Sequence, residues 1–259
     1  ALAKTAKESV EFASSAEKSM KKFQAAAGIS TESMGKYQDA IKDLYSDDYG
    51  ENIESVADAM AQIKQITGEI DPSNLKELTE NAIALEDIFD MDMQESVRGI
   101  DTLMKKFGLT SKQAYDYMAK GAQNGLDKTH ELGDNIAEYG QLWSQAGFSA
   151  EEMFTILQNG LDAGAYNLDK VNDFVKEFTI SLADGRIGEN LGSFSEGTAD
   201  LFQKWQEGKA TAKDVFYSVI SDLKNATNEQ EALTTASTVW SALGEDNAMA
   251  VITSLGDVN

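Results

Sequence analysis

Of the residue types that do chemistry and are present in this 259-residue chain, histidine is the scarcest, with one copy. It opens the run His130-Glu131-Leu132-Gly133-Asp134. A zinc hydrolase of the helical type needs two histidines four residues apart, with a glutamate between them to activate the metal-bound water. Asp134 stands where the second histidine would be, so a metal has too few ligands and Glu131 has no water to activate. A Ser-His-Asp triad would have to use the same imidazole, and no nucleophile elbow lies nearby. His130 therefore reads as a helix-start or surface residue.

Carboxylates recur in groups: Asp47, Asp48 and Glu51; Asp87, Asp90 and Asp92; Asp184 and Glu189. Paired carboxylates carry out glycoside hydrolysis, the reaction that cuts cell walls. With 44 acidic residues such groups arise by chance, and solvated surface charge is the better reading. Asp184-Gly185-Arg186-Ile187 has a trace of a calcium loop, but Thr179, Ser181 and Ala183 do not supply the acidic ladder upstream. Cysteine is absent, which removes disulfides and thiolate metal sites. No glycine-rich phosphate loop runs into Lys and Ser or Thr. The sequence nominates no catalytic, cofactor-binding or metal-binding residue, and no cofactor.

What the residues do specify is helices. Hydrophobic residues make up 42% of the chain and there is one proline, Pro72. Unbranched side chains lose little entropy in a helix, whereas proline breaks helix interiors. Two phrases mark the joints. Phe107-Gly108-Leu109-Thr110-Ser111-Lys112-Gln113 and Ala146-Gly147-Phe148-Ser149-Ala150-Glu151-Glu152 each give a glycine to end one helix and a hydroxyl to cap the next. Their glycines lie 39 residues apart. A weaker joint at Gly208-Lys209-Ala210-Thr211 falls 61 residues after Gly147, so a strict repeat is not expected.

Apolar residues at Leu2, Ala6, Val10, Ala13, Ala16, Met20, Phe23 and Ala27 form one helical stripe ending at Gly28. Further helices are predicted from Ser30 or Thr31 to Tyr45, across Ile53–Ile66, from Asp71-Pro72 to Phe89, and from Met91-Asp92 to Phe107. Others follow over Ala114–Met118 with a stop at Gly121 to Gly125, over His130–Ala146, from Met153 to a stop at Gly164, and from Asn167 to Leu182. After an irregular stretch come 198–207, 211–225, 229–242 and 245–255, with Thr211/Asp214 and Thr227/Gln230 as caps. Trp143, Phe148, Phe154, Phe174, Phe178, Trp205 and Trp240 read as core anchors rather than a ligand platform. Gly160, Ala163 and Gly164 read as close packing or termination. The expectation is an all-α, irregular multi-helix domain of short antiparallel helices joined by glycine-containing turns, with no significant sheet. Its parts are N-terminal amphipathic helices (1–46), a main helical core (47–183), an irregular glycine-rich linker (184–197) and a C-terminal helical subdomain (198–259).

The formal charge of −22 repels nucleic-acid phosphates and anionic headgroups, so no direct nucleic-acid binding is expected. No apolar run reaches the roughly 18 residues of a membrane span. The chain starts without Met in what already reads as helix, so a piece of a longer protein is expected.

In order, three stretches resemble the helical core of tailed-phage tape measure proteins. They are Leu103-Met104-Lys105-Lys106-Phe107-Gly108-Leu109-Thr110-Ser111-Lys112-Gln113-Ala114; Ala146–Glu152 leading to Gly160-Leu161-Asp162-Ala163-Gly164; and Ala236-Ser237-Thr238-Val239-Trp240-Ser241-Ala242-Leu243-Gly244. The resemblance spans roughly 50–250. It implies a structural, non-enzymatic protein of a phage or prophage tail, made in the host cytoplasm and residing in the virion tail. It further implies that the parent templates tail length and assists genome delivery. Its implied partners are tail-tube and tail-tip or baseplate proteins, tail assembly chaperones, and further copies of itself. Two other readings compete: a helical binding or scaffold module of a bacterial surface or secreted protein, and a cell-wall hydrolase domain.

Overall fold

Nine of the fourteen α-helices among the described residues begin at an N-cap whose side chain accepts from the first turn. The computed structural model describes residues 2–241 and 248–257, with side chains from Ala13 onward. The side chains of the expected stripe positions Leu2, Ala6 and Val10 lie outside the described residues, as do the phrase Ala242-Leu243-Gly244 and the expected helix start at 245. Among the described residues are fourteen α-helices, one 3-10 turn and no strand, so the all-α class holds.

The helices are α1 (Leu2–Ala27), α2 (Met34–Ser46), α3 (Ile53–Thr67), α4 (Pro72–Phe89), α5 (Met93–Phe107), α6 (Ser111–Gln123) and α7 (Leu132–Ala146). They continue with α8 (Ala150–Asp162), α9 (Leu168–Ala183), α10 (Arg186–Glu189), α11 (Glu196–Gln206), α12 (Ala212–Lys224), α13 (Glu229–Val239) and α14 (Ala248–Ser254). Thr110 and Ser149 make reciprocal caps with Gln113 and Glu152, and Thr211 does the same with Asp214. Asp71 caps α4 ahead of Pro72, and Asn167 caps α9. Gly108 and Gly147 sit at φ 69° and 95°, left-handed values that a side chain would strain.

Some expected boundaries and caps move. The segment Ser30–Ser33 is a turn, and α2 starts only at Met34, because Ser33 makes no side-chain cap. The cap of α13 is Asn228, which accepts from Glu231 N; Thr227 instead donates its N–H and hydroxyl to the Glu231 carboxylate, not to Gln230. That helix also stops at Val239 rather than 242, since Trp240 turns extended and buries its indole.

The packing order is more regular than expected through the first nine helices. The odd helices form one row, α1 against α3, α3 against α5, α5 against α7 and α7 against α9. The even helices form a second row, α2 against α4, α4 against α6 and α6 against α8, with α4 and α6 packed on both odd neighbours, α2 on α3 and α8 on α9. Even helices begin at Met34, Pro72, Ser111 and Ala150, spaced 38, 39 and 39 residues. This is a two-layer stack of helix pairs, each unit burying its apolar face on the next.

One linkage repeats along the odd row. Gln65 donates to Ala26 O (2.9 Å), Lys105 to Thr67 O (3.1 Å) and Ser144 to Lys106 O (2.7 Å). Each odd helix thus satisfies a carbonyl near the end of the one before, which its own helix leaves open. Between α5 and α7 the backbones nearly touch. A methyl on Gly133 would lie 2.6 Å from Glu95 C, one on Gly99 3.0 Å from Gly133 O, and one on Gly140 2.6 Å from Thr102 Cγ2.

Beyond α9 the order changes. The stretch 184–197 holds α10, the 3-10 turn Leu191–Ser193 and the start of α11. Helices α10, α12 and α13 pack on α9, and α14 packs on α8 and α12, closing that end of the stack. Phe178, Phe216, Trp143 and Trp240 are fully buried here.

Candidate functional site

The structure separates the residues that metal chemistry would need to bring together. His130 is 62% exposed and lies ahead of α7 in a left-handed conformation (φ 56°), not inside the helix. The reason is Asp127, whose buried carboxylate accepts from Leu132 N at 3.0 Å and so starts α7 two residues later than expected. Burial pushes the Asp127 carboxyl up, against the Leu132 N–H and His130. Glu131 binds the Thr129 hydroxyl, and Asp134 pairs with Arg98 at 2.9 Å. The three side chains of the zinc-like phrase thus have three separate sets of partners.

The carboxylate groups resolve into ends of helices. Asp47 and Asp48 close α2, and Glu51 is exposed in the turn that follows. Asp90 closes α4 at φ 57° and Asp92 caps α5 through Glu95 N. This corner raises the Glu86 carboxyl, first through burial and then through Asp87, Asp92 and Asp90. Asp184 binds Arg186 through both the backbone N–H (3.0 Å) and Nε (2.9 Å). Ser181, in the position of an upstream calcium ligand, is buried and donates to Glu177 O and Val239 O. Among the described residues no group of three or more His, Asp or Glu is placed to hold a metal ion.

What the fold does bring together is buried and structural. Trp143 Nε1 donates to Asn172 Oδ1 at 2.7 Å, and Asn172 Nδ2 donates to Asn135 Oδ1 at 2.7 Å and Leu168 O at 3.1 Å. Asn135 in turn donates to Glu131 O. This chain of amides ties α7 to α9 with its groups paired, as buried polar atoms require. Sequence reading missed it. The only sign was two asparagines among apolar positions, and nothing in their spacing names a partner.

A second junction joins the stack to its end. Glu152, the reciprocal cap of α8, also receives Lys213 Nζ and Tyr217 Oη, each at 3.2 Å. Burial opposes its ionisation, but the Ser149 N–H and Lys213 outweigh that and hold the carboxyl below its usual range. Burial and then Glu152 push the Tyr217 phenol up. Phe148 packs edge-on against Trp143, Phe216 and Tyr217, with ring centroids 5.0, 5.5 and 5.8 Å apart. The aromatic anchors expected from sequence thus serve the core, except that Trp205 stays only partly buried.

An accessible groove with a partly apolar lining lies in the even row. Helices α6 and α8 meet less closely than the even pairs before them. Between them runs a groove of roughly 430 Å³ lined by Tyr117, Leu126 and Phe154, with Asn124, Gln158 and Asn159 at one end. Tyr117 and Glu151 also line an adjoining hollow of about 340 Å³ that reaches Phe107, Leu109 and Phe148. Gln158 Oε1 is buried there without a hydrogen-bond partner.

Among the described residues no helix is long and apolar enough to cross a membrane. Residues 39–240 match the model of a family described as phage-related minor tail protein. Neither the curated proteins nor the solved structures gave a match.

Proposed function

From the premise that the chain belongs to the phage-related minor tail protein family, and is thus a structural protein of a phage tail, we propose that it is a segment of the tape measure protein. In this reading the parent chain templates tail length, assembles in the host cytoplasm with tail-tube proteins and tail assembly chaperones, and contacts tip or baseplate proteins. It also associates with itself and assists genome delivery. The observation that carries the reading is the family match across 39–240, which runs through both the helix-pair stack and the helices that close it.

The physics is compatible with a ruler. Each 38- or 39-residue unit is two helices whose apolar faces are satisfied by neighbours, so the same faces can be transferred to other helical partners. Stretched as continuous helix, one unit spans roughly 60 Å at about 1.5 Å per residue. A charge of −22 keeps such a protein soluble and complements a basic lumen or chaperone.

The test is tail length by electron microscopy after in-frame deletion of one helix pair, for example 72–110, from the parent gene. The ruler reading predicts tails shortened by up to roughly 60 Å per unit removed, in proportion to the number of units. Unchanged tail length removes the templating role and leaves a compact domain working elsewhere in the tail.

A further inference from the structure

We infer that α14 is a displaceable stand-in for a partner protein's amphipathic helix, lodged in a groove between α8 and α12. The even row does not end at α8. After Asp162 the chain runs on through α9 to α13, and α14 then returns to pack on α8 and α12. It meets α8 more extensively than α6 does. Its buried side chains are Ala248, Val251 and Ile252, followed by Leu255 just beyond the helix. These fall at i, i+3, i+4 and i+7, the anchor positions by which an amphipathic helix lies in an apolar groove.

The groove is built by other elements. Helix α8 packs on α9 and is tied to α12 through Glu152, Lys213 and Tyr217, while α12 packs on α9, α11 and α13. None of these contacts passes through α14. Two glycines fit the cover to its receptor. A Cβ on Gly160 would lie 2.4 Å from Val171 Cγ2 and 3.3 Å from Leu255 Cδ2, and one on Gly256 would lie 2.7 Å from Ile220 Cγ2. The polar ties gather at one end. Ser254 Oγ donates to Asn159 O at 3.2 Å, Asn159 Nδ2 donates to Asp257 O at 2.7 Å, and Lys224 pairs with the Asp257 carboxylate.

Length makes the cover easy to displace. At seven residues α14 is well short of the roughly 12–15 at which an isolated helix becomes even marginal, so packing alone keeps it helical. An element held in this way opens locally, at less than the cost of global unfolding. The family match points the same way. It stops at 240, so α8 and α12 lie inside it and α14 lies outside. The matched region carries the groove, and a separate stretch of chain supplies the cover. The occupant it fits is a partner's helix with apolar residues in the spacing of Ala248, Val251, Ile252 and Leu255, a small residue over Ile220 and a carboxylate facing Lys224.

That the partner is another tail component rests on the tail reading, but the test reads amide exchange and peptide binding rather than tail length, so either can fail alone. In the 259-residue chain, α14 is expected to exchange at least about 100-fold faster than α5, α7 and α12, by local opening. Val251→Ser combined with Leu255→Ser empties the groove and should leave a cooperative melt. The emptied chain is expected to bind a fluorescent peptide of residues 245–259 with a Kd below about 1 mM. The same peptide carrying Leu255→Asp should bind at least about 10-fold more weakly, the size of a lost anchor. Protection of α14 equal to that of α12 overturns the inference. So does loss of the cooperative melt in the double variant, which would make α14 an integral part of the closing end. Absence of binding at about 1 mM, or equal binding of the two peptides, removes the groove as a helix receptor. A wild-type dimer in sedimentation that the double variant loses would make a second copy the occupant and overturn the partner.

Discussion

Between α5 and α7 two backbones come together because Gly99, Gly133 and Gly140 carry no side chains there. Beyond Asp184 the helices are instead bridged by rings: Phe216 meets Phe178 at 5.1 Å and Phe148 at 5.5 Å, and Trp240 donates to Phe174 O at 2.8 Å. The stack is held by repetition and close approach. Its closing end is held by large, unrepeated side chains that fill a particular space. A stack of helix pairs exposes an apolar face wherever it stops, so one end of this one is sealed by an aromatic plug that obeys no period.

Substitutions should separate the two modes. Trp240→Ala should cost the most, about 4 kcal/mol, because it removes a fully buried ring and leaves Phe174 O without its donor. Gly133→Ala should cost about 3 kcal/mol although it adds a single methyl, since the obstacle is the Glu95 backbone and no rotamer relieves it. The matched control is Gly192→Ala in the closing region, where nothing lies within 4 Å of the new Cβ. It should be neutral or stabilising by about 0.5 kcal/mol. Urea unfolding of the three variants reads these values; equal costs for Gly133→Ala and Gly192→Ala would erase the distinction.

Asn172→Leu tests the seam between α7 and α9. It strands Trp143 Nε1 and Asn135 Oδ1 in the core, and about 2 kcal/mol should be lost. Ser149→Ala should cost about 1 kcal/mol, the usual worth of an N-cap, and should loosen the Glu152 junction with Lys213 and Tyr217.

Acidification should act in opposite senses on the interior of the stack and on its junction with the closing helices, as the smallest effect. Glu86, Glu95, Asp127 and Asp169, all in the stack, have raised carboxyls, each chiefly through burial. A raised carboxyl takes up its proton in the folded state first, so the stack gains stability as pH falls from neutral toward the ordinary carboxylate range. Glu152 and Asp214, which hold α8 and α12, have lowered carboxyls. Their contribution is complete above the ordinary values of 4.5 and 3.8 and is lost as pH falls through the lower folded values. Amide exchange followed against pH should show α5–α7 protected more near pH 5 than at pH 7, and α12 loosening first below pH 4. Uniform change across both regions would contradict this assignment.

Local signals made the helices legible. Thr110, Ser149, Asp71, Asn167 and Thr211 cap as their spacing to the next turn predicts, because a cap involves only residues two or three apart. The row order was hidden for a related reason. Gly28, Gly68, Gly108 and Gly147 end the odd helices at near-constant spacing, but Asp48 and Asp90 take the left-handed position after α2 and α4, where glycine would have shown the period. The cap at Asp127 escaped notice because it acts on Leu132 across five residues. The amide chain from Trp143 through Asn172 to Asn135 and the α6/α8 groove are products of packing between distant segments. No pattern within one helix reports either.

The central claim is that the first nine helices are stacked in units of a helix pair. The most direct test is thermal unfolding, followed by circular dichroism, of two deletions in this chain. Removing 72–110 takes out α4 and α5 together and keeps every remaining helix in its row; removing 72–92 takes out α4 alone and moves all later helices to the opposite row. The account predicts a helical, cooperatively melting protein from the first deletion and a non-cooperative one from the second. Cooperative melting of both, or of neither, would contradict it.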